Sequence, residues 1–67
     1  MSTGLEDELH YYRNNLDKLI KKYNGLYVLI KGQRIYASFT NEEAAFEEGR
    51  KFFGNSPFLV KKVEKQY

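Results

Sequence analysis

Apolar side chains in the first third of the chain recur at alternating spacings of four and three residues, which places them on one narrow stripe of a helix. The members of this N-terminal stripe are Leu5, Leu9, Tyr12, Leu16, Leu19 and Tyr23. Thr3 and Glu6 have the spacing of a capping box, and the glycine of Asn24-Gly25 readily ends a helix. The pattern therefore predicts one long helix over residues 5–23.

A β-hairpin is predicted directly after this helix. Residues 26–31 are rich in β-branched and aromatic side chains, and Gly32-Gln33 fits a two-residue loop whose glycine takes the positive φ of a type II′ turn. This loop implies the cross-strand pairs Lys31/Arg34, Ile30/Ile35, Leu29/Tyr36, Val28/Ala37, Tyr27/Ser38 and Leu26/Phe39. One face of the hairpin is then apolar, and the other is half apolar.

A second helix and a third strand complete the pattern. Thr40 and Glu43 have the spacing of another capping box. The predicted inner stripe of the second helix consists of Ala45, Phe46, Gly49, Phe52 and Phe53. Gly49 lowers helix propensity by about 1 kcal/mol relative to alanine, so we expect the helix backbone to approach the sheet closely there. Residues 58–63 are the third strand, whose inward-facing positions the pattern leaves open.

These elements predict an α+β fold with the order αββαβ. The strand at residues 26–30 is the most continuously apolar, so we place it in the centre of a three-stranded sheet with strand order 2-1-3. We expect one helix, the second, to pack on a face of this sheet. The chain 1–67 is then a single domain, in which the long helix over 5–23 precedes a compact ββαβ unit over 25–63.

Much of the ββαβ unit resembles a known protein family. The resemblance rests on Tyr27–Gly32, on Thr40, Glu43 and Ala45 at the start of the second helix, on Gly49, and on Phe53–Lys61. These segments are similar to those of a family of small, mostly bacterial proteins with a domain of unknown function. The resemblance spans residues 25–63 and leaves out the first helix. It implies the hairpin and the glycine-containing helix, and it carries no activity or ligand over to this chain.

Size and charge narrow the class of protein. A chain of 67 residues without cysteine has a small core and no disulfide to support it, because such a chain buries only about 60% of its unfolded surface. The net charge of +2 is too small to indicate nucleic-acid binding by itself. No signal peptide precedes the first helix, and no apolar run is long enough to span a membrane. We therefore expect a cytoplasmic protein that does not bind membranes.

Few residues have the chemistry of a catalytic or metal site. His10 is the only histidine, and Glu6 lies one helical turn before it. A stable metal site needs three or four ligands, and the sequence supplies no third. One histidine and no cysteine cannot be combined into a convincing nucleophilic triad. We therefore expect no enzyme activity, no catalytic residue and no cofactor or metal.

The N-terminal stripe is the strongest indication of a function. Its strict spacing over less than three heptads favours pairing between helices, so we predict a homodimer whose interface is this stripe. The alternative is that the stripe folds back on the sheet of its own chain, and Ile20 widens it toward the pattern of a globular core. The first hypothesis is a small non-enzymatic protein-interaction module that self-associates and binds an unidentified protein partner.

A second hypothesis is weak binding of single-stranded nucleic acid on the outer face of the sheet. Aromatic side chains beside cations are typical of sheets on which bases stack. The residues of this predicted nucleic-acid face are Tyr27, Tyr36, Lys31, Arg34, Lys61 and Lys62. We favour the interpretation that the two tyrosines pack beneath the first helix or against a second subunit, because the N-terminal stripe would otherwise stay exposed.

Overall fold

The computed structural model describes residues 5–64, which form three helices and one three-stranded antiparallel sheet. The elements in chain order are α1 (Glu6–Asn14), α2 (Leu16–Tyr23), β1 (Tyr27–Lys31), β2 (Arg34–Phe39), α3 (Glu42–Phe53) and β3 (Leu59–Lys62). The strand order is β2-β1-β3, and β1 runs antiparallel to both neighbours. The predicted α+β class and the 2-1-3 strand order are therefore confirmed.

The prediction of one long helix over residues 5–23 is wrong, because two helices meet at Asn15. The backbone of Asn15 has φ −113° and ψ 12°, outside the α-helical region. Its side-chain Nδ2 donates a hydrogen bond of 2.9 Å to the carbonyl oxygen of Tyr11, and its backbone N–H donates one of 3.1 Å to the same oxygen. Asparagine side chains compete for backbone hydrogen bonds in this way and so disfavour helix interiors.

Helix α1 begins at Glu6, the second residue of the predicted capping box. Leu5 is the N-cap residue of α1, and its own side chain forms no capping hydrogen bond. Thr3, which the sequence assigns to the cap, lies outside the described residues. The acidic side chains of the first turn suit the positive end of the helix dipole.

Strand β1 is the centre of the molecule. Val28, Leu29 and Ile30 are fully buried, and successive side chains of a strand point to opposite faces, so both faces of the sheet are covered. Val28 and Ile30 belong to a core cluster that also contains Tyr12 of α1 and Leu19 of α2. The first two helices therefore cover one face, and the N-terminal stripe folds back on the sheet of its own chain.

Helix α3 covers the opposite face of the sheet. Lys31 shares the orientation of Leu29 on β1, and its Nζ lies 5.7 Å from the centroid of the Phe53 ring on α3. Ala45 of the same helix is fully buried. The sheet is thus enclosed between two helical layers. The sequence placed the second helix on one face and left open whether the first helix covers the other.

The hairpin keeps the predicted loop but only part of the predicted register. Gly32 has φ 66°, and the two residue pairs nearest the turn form as expected. Beyond them, Leu29 pairs with Ala37 instead of Tyr36, which leaves Tyr36 as the extra residue of a β-bulge. The bulge shifts the remaining pairs by one residue and turns the Tyr36 ring toward α3, where it contacts Phe53.

The N-terminus of α3 lies one residue later than the predicted capping box implies. Asn41 rather than Thr40 is the N-cap residue, and its Oδ1 accepts a hydrogen bond of 2.8 Å from the backbone N–H of Ala44. Asparagine is among the best N-cap residues because its side chain satisfies a free N–H of the first turn.

The pairing of β3 with β1 shows which residues of β3 face the core. Leu59 pairs with Ile30 and packs against the core cluster, to which Val63 also belongs. Val63 exchanges backbone hydrogen bonds of 2.8 Å with Gly25 and Leu26, just before β1. Leu59 and Val63 therefore face α1 and α2.

Candidate functional site

The N-terminal stripe, predicted as a dimer interface, is divided between the core and the surface. Tyr12 and Leu19 are only 2% and 5% exposed and lie in the core cluster. The other members are half-buried, namely Leu5, Leu9, Leu16 and Tyr23. The two most buried residues of the stripe thus contact the sheet of their own chain. Pairing of this stripe between two copies stays a prediction.

Glu8 is a buried carboxylate that the sequence pattern did not assign to the core. It is 4% exposed, and its Oε2 accepts a hydrogen bond of 2.7 Å from the backbone N–H of Gly32. This hydrogen bond joins α1 to the hairpin turn. The spacing of four residues to Tyr12 places both side chains on one face of α1, and this signal could have identified Glu8.

Tyr12 joins α1 to β3 through its hydroxyl group. The hydroxyl donates a hydrogen bond of 3.0 Å to the carbonyl oxygen of Lys62, and the Nζ of Lys61 lies 5.3 Å from the ring centroid. Burial raises the pKa of Tyr12 above the usual 10.0, because the ionised ring would lose its hydration. A hydrogen bond with the Glu64 backbone partly opposes this rise, and the charge of Glu64 adds to it.

The raised pKa of Tyr12 predicts a pH-dependent contribution to stability. The folded protein holds the phenol proton more tightly than the unfolded chain, so the contribution is complete below pH 10.0 and is lost as the pH rises through the folded-state pKa. Tyr12→Phe should lower the free energy of unfolding by about 1 kcal/mol at neutral pH through the lost hydrogen bond. Urea unfolding across neutral and alkaline pH should show this difference shrinking above pH 10.0, and a constant difference would contradict the assignment.

The predicted nucleic-acid face does not form one open surface. Tyr27 and Lys31 have the same orientation on β1 as Leu29, so both lie on the face that α3 covers. Lys61 lies on the opposite face, because it pairs with Val28. The Nζ of Lys31 donates a hydrogen bond to the backbone carbonyl oxygen of Pro57, in the turn before β3. This contact holds the Lys31 ammonium group against its own chain.

The other three residues of the predicted nucleic-acid face lie near the sheet edges or the α3 face. Lys62 pairs with Tyr27, and the Arg34 guanidinium lies 5.7 Å from the centroid of the Tyr36 ring. Tyr36 packs against Phe53 of α3 and not beneath the first helix, which was one of its two expected positions. The other, a contact with a second subunit, stays a prediction. Binding of single-stranded nucleic acid through these six residues stays a prediction.

Five aromatic side chains meet where α3, β2 and residues 54–58 come together. This aromatic cluster consists of Tyr36, Phe46, Phe52, Phe53 and Phe58. The Tyr36 and Phe53 rings meet edge to face with their centroids 5.0 Å apart, in the geometry that aromatic pairs prefer. Phe52 is 67% exposed and Tyr36 is 47% exposed. The cluster therefore has a packed inner part and an exposed rim.

The exposure of Phe52 corrects the predicted inner stripe of the second helix. Ala45 and Gly49 are buried as expected, whereas Phe46 and Phe52 are exposed. At 100° per residue, Phe46 and Phe52 are the two outermost positions of this stripe, and Ala45 and Gly49 lie between them. Helix α3 therefore buries the centre of the stripe and leaves its edges exposed.

The charged side chains of residues 5–64 form few close contacts with one another. The ion pair found among them joins Lys51 and Glu48 of α3 at 3.7 Å. His10 is exposed on α1, and within the described ranges no three acidic or histidine side chains are grouped so that they could hold a metal ion.

No protein-family model, curated protein or solved structure that was compared with this chain matches it. The resemblance to a family with a domain of unknown function therefore stays a prediction. In the part of the chain that the structure describes, no helix has the length and apolar character needed to cross a membrane. A cytoplasmic location likewise stays a prediction.

Proposed function

We propose that the chain is a small, non-enzymatic interaction module that self-associates through its aromatic cluster. The observation that carries this proposal is the Phe52 ring, which is 67% exposed next to Phe53, against which the 47% exposed Tyr36 also packs. Aromatic residues contribute disproportionately to protein interfaces, and contiguous apolar patches on small proteins commonly mark contact surfaces. A second copy that covers these rings would remove apolar surface from water at about 25 cal/mol per Å².

Two features support self-association through this cluster rather than through the N-terminal stripe. Tyr12 and Leu19, the most buried residues of that stripe, are already used within their own chain. The surface around Phe52 also carries both signs of charge, with Lys51 and Glu48 on the same helix. A two-fold symmetric contact places the same patch on both copies, so mixed charge avoids the repulsion that charge of one sign would cause.

Sedimentation velocity over a range of concentrations tests the proposal. We expect the wild-type chain to dimerise at tens of micromolar, and Phe52→Ser to raise the dissociation constant at least tenfold. Leu9→Ser, which alters the N-terminal stripe, is the matched control. Its dissociation constant should stay within about threefold of the wild-type value. Circular dichroism of both variants checks that each is folded.

Two outcomes would overturn this proposal. A wild-type chain that stays monomeric at 100 micromolar would remove self-association altogether. Dissociation by Leu9→Ser without dissociation by Phe52→Ser would move the interface to the N-terminal stripe.

A further inference from the structure

A basic groove lies between the two N-terminal helices and the β-hairpin. Its volume is about 390 Å³, and its helical wall includes Asn15 at the break between α1 and α2. Leu19 and Ile35 supply the apolar part of its lining. The groove lies on the sheet face covered by α1 and α2, whereas the aromatic cluster lies on the α3 face. An inference about the groove is therefore independent of the proposed self-association.

The charge of the groove has one sign. Two lysines supply it, Lys18 and Lys22, which are one helical turn apart on α2. Arg34 also lines the groove, but its guanidinium lies on the α3 face of the sheet, 5.7 Å from the centroid of the Tyr36 ring. No aspartate or glutamate is among the lining residues. In the described part of the chain neither lysine forms an ion pair, since the pair found there joins Lys51 and Glu48. Because no lining carboxylate balances this positive charge, the groove attracts an anion from solution.

Two half-buried tyrosines give the groove aromatic rings on which a flat ligand can stack. Tyr11 and Tyr23 both line it, and the Nζ of Lys22 lies 5.4 Å from the centroid of the Tyr23 ring. Stacking on an aromatic ring is a common way to bind a nucleobase. A phosphate beside a flat aromatic base matches this combination of cations and rings.

We propose that the basic groove binds a nucleotide. Lys18 and Lys22 would bind its phosphate, and a tyrosine ring would stack on its base. Lysine side chains one helical turn apart are neighbours on the helix surface, so both can donate charge-assisted hydrogen bonds to one phosphate. The volume of 390 Å³ lies at the small end of the range for ligand sites, which suits one nucleotide. A free nucleotide and one unit of a single strand share this chemistry.

Titration of the ¹⁵N-labelled full chain, followed by amide chemical shifts at low salt, tests the proposal. The probes are adenosine monophosphate, adenosine, inorganic phosphate and a single-stranded octaadenylate. We expect saturable shifts at groove residues, with adenosine monophosphate binding at least fivefold more tightly than adenosine or phosphate alone. Octaadenylate binding more than tenfold more tightly than the monophosphate identifies a strand as the ligand, and weaker or equal binding identifies a free nucleotide.

Matched charge variants assign the binding to the groove. Lys18→Gln and Lys22→Gln should each raise the dissociation constant for adenosine monophosphate at least fivefold, because each removes a charge that faces the phosphate. Lys51→Gln on α3 removes one charge outside the groove and should change it by less than twofold. Three results would overturn the proposal: no saturation at 10 mM nucleotide, an equal effect of Lys51→Gln, or a hexaglutamate peptide binding as tightly as the nucleotide.

Discussion

Gly49→Ala is expected to lower the free energy of unfolding by about 1 to 2 kcal/mol, although alanine normally stabilises a helix interior by about 1 kcal/mol relative to glycine. A Cβ atom at Gly49 would lie 2.4 Å from Cε1 and 2.5 Å from Cζ of the Phe58 ring. Non-bonded carbon atoms prefer separations of about 3.5 to 4.0 Å, so the ring would have to move. Phe58 has little room to do so, because it packs between Phe46 and Phe53 with centroid separations of 6.1 and 5.9 Å.

The same substitution in a Phe58→Leu background separates this clash from other effects. Leucine lacks the ring atoms that the new Cβ would meet, so Gly49→Ala should there be neutral or stabilising by up to about 1 kcal/mol. Urea unfolding of the four proteins in this double-mutant cycle gives the coupling free energy directly. Equal destabilisation in both backgrounds would show that the Phe58 ring is not what excludes a side chain from position 49.

Glu8→Ala is expected to destabilise the fold by about 2 kcal/mol. The substitution removes the carboxylate that accepts the 2.7 Å hydrogen bond of Gly32, and it leaves the backbone N–H of the turn without this acceptor. An unsatisfied buried donor costs about 1 to 3 kcal/mol. The loss should also accelerate hydrogen exchange at the Gly32 amide, because α1 would no longer protect the hairpin turn.

Two further variants distinguish the hydrogen bond from charge. Glu8→Gln keeps an oxygen acceptor of the same length, so it should cost less than half as much as Glu8→Ala. Asp7→Ala removes an exposed acid from the same turn of α1 and should change the free energy of unfolding by less than about 0.5 kcal/mol. Equal effects of Glu8→Ala and Asp7→Ala would contradict a structural role for the buried carboxylate.

The sheet was predictable from the sequence because its signals are local and agree with one another. The continuous apolar run at Val28–Ile30 belongs in a strand covered on both faces, and this placed β1 in the centre. Gly32 marks the turn by its need for a positive φ. At Gly49 the close approach takes another form than expected, because the contacting group is the Phe58 ring just before β3 and not the sheet.

The helix break and the β-bulge were not predictable from hydrophobic spacing. The N-terminal stripe continues through Asn15 without a change of spacing, whereas the break depends on the side chain of Asn15, whose Nδ2 donates a hydrogen bond to the Tyr11 carbonyl oxygen. The bulge depends on contacts distant in sequence, since it turns Tyr36 toward Phe53. Both features exist because a tertiary or side-chain contact outweighs the regular pattern.

The candidate surfaces follow from these same deviations. The basic groove has Asn15 in its wall at the helix break, and residues of α2 and β2 both line it although these elements are not adjacent in sequence. The exposed rim of the aromatic cluster arises because α3 buries only part of its apolar stripe, leaving Phe52 uncovered. Sequence spacing assigned Phe52 to the core. Its exposure depends on how α3 packs on the sheet, so this surface could not be predicted from the spacing.

Intermolecular contacts at Phe52 test the proposed self-association most directly. An isotope-filtered nuclear Overhauser experiment on an equal mixture of ¹³C-labelled and unlabelled chains, at a concentration where dimers form, detects contacts between copies alone. We expect intermolecular signals from the rings of Phe52 and Tyr36, which are the exposed members of the aromatic cluster closest to Phe53. Intermolecular signals from Leu9 and Leu16 instead, or none from any residue, would contradict an interface at the aromatic cluster.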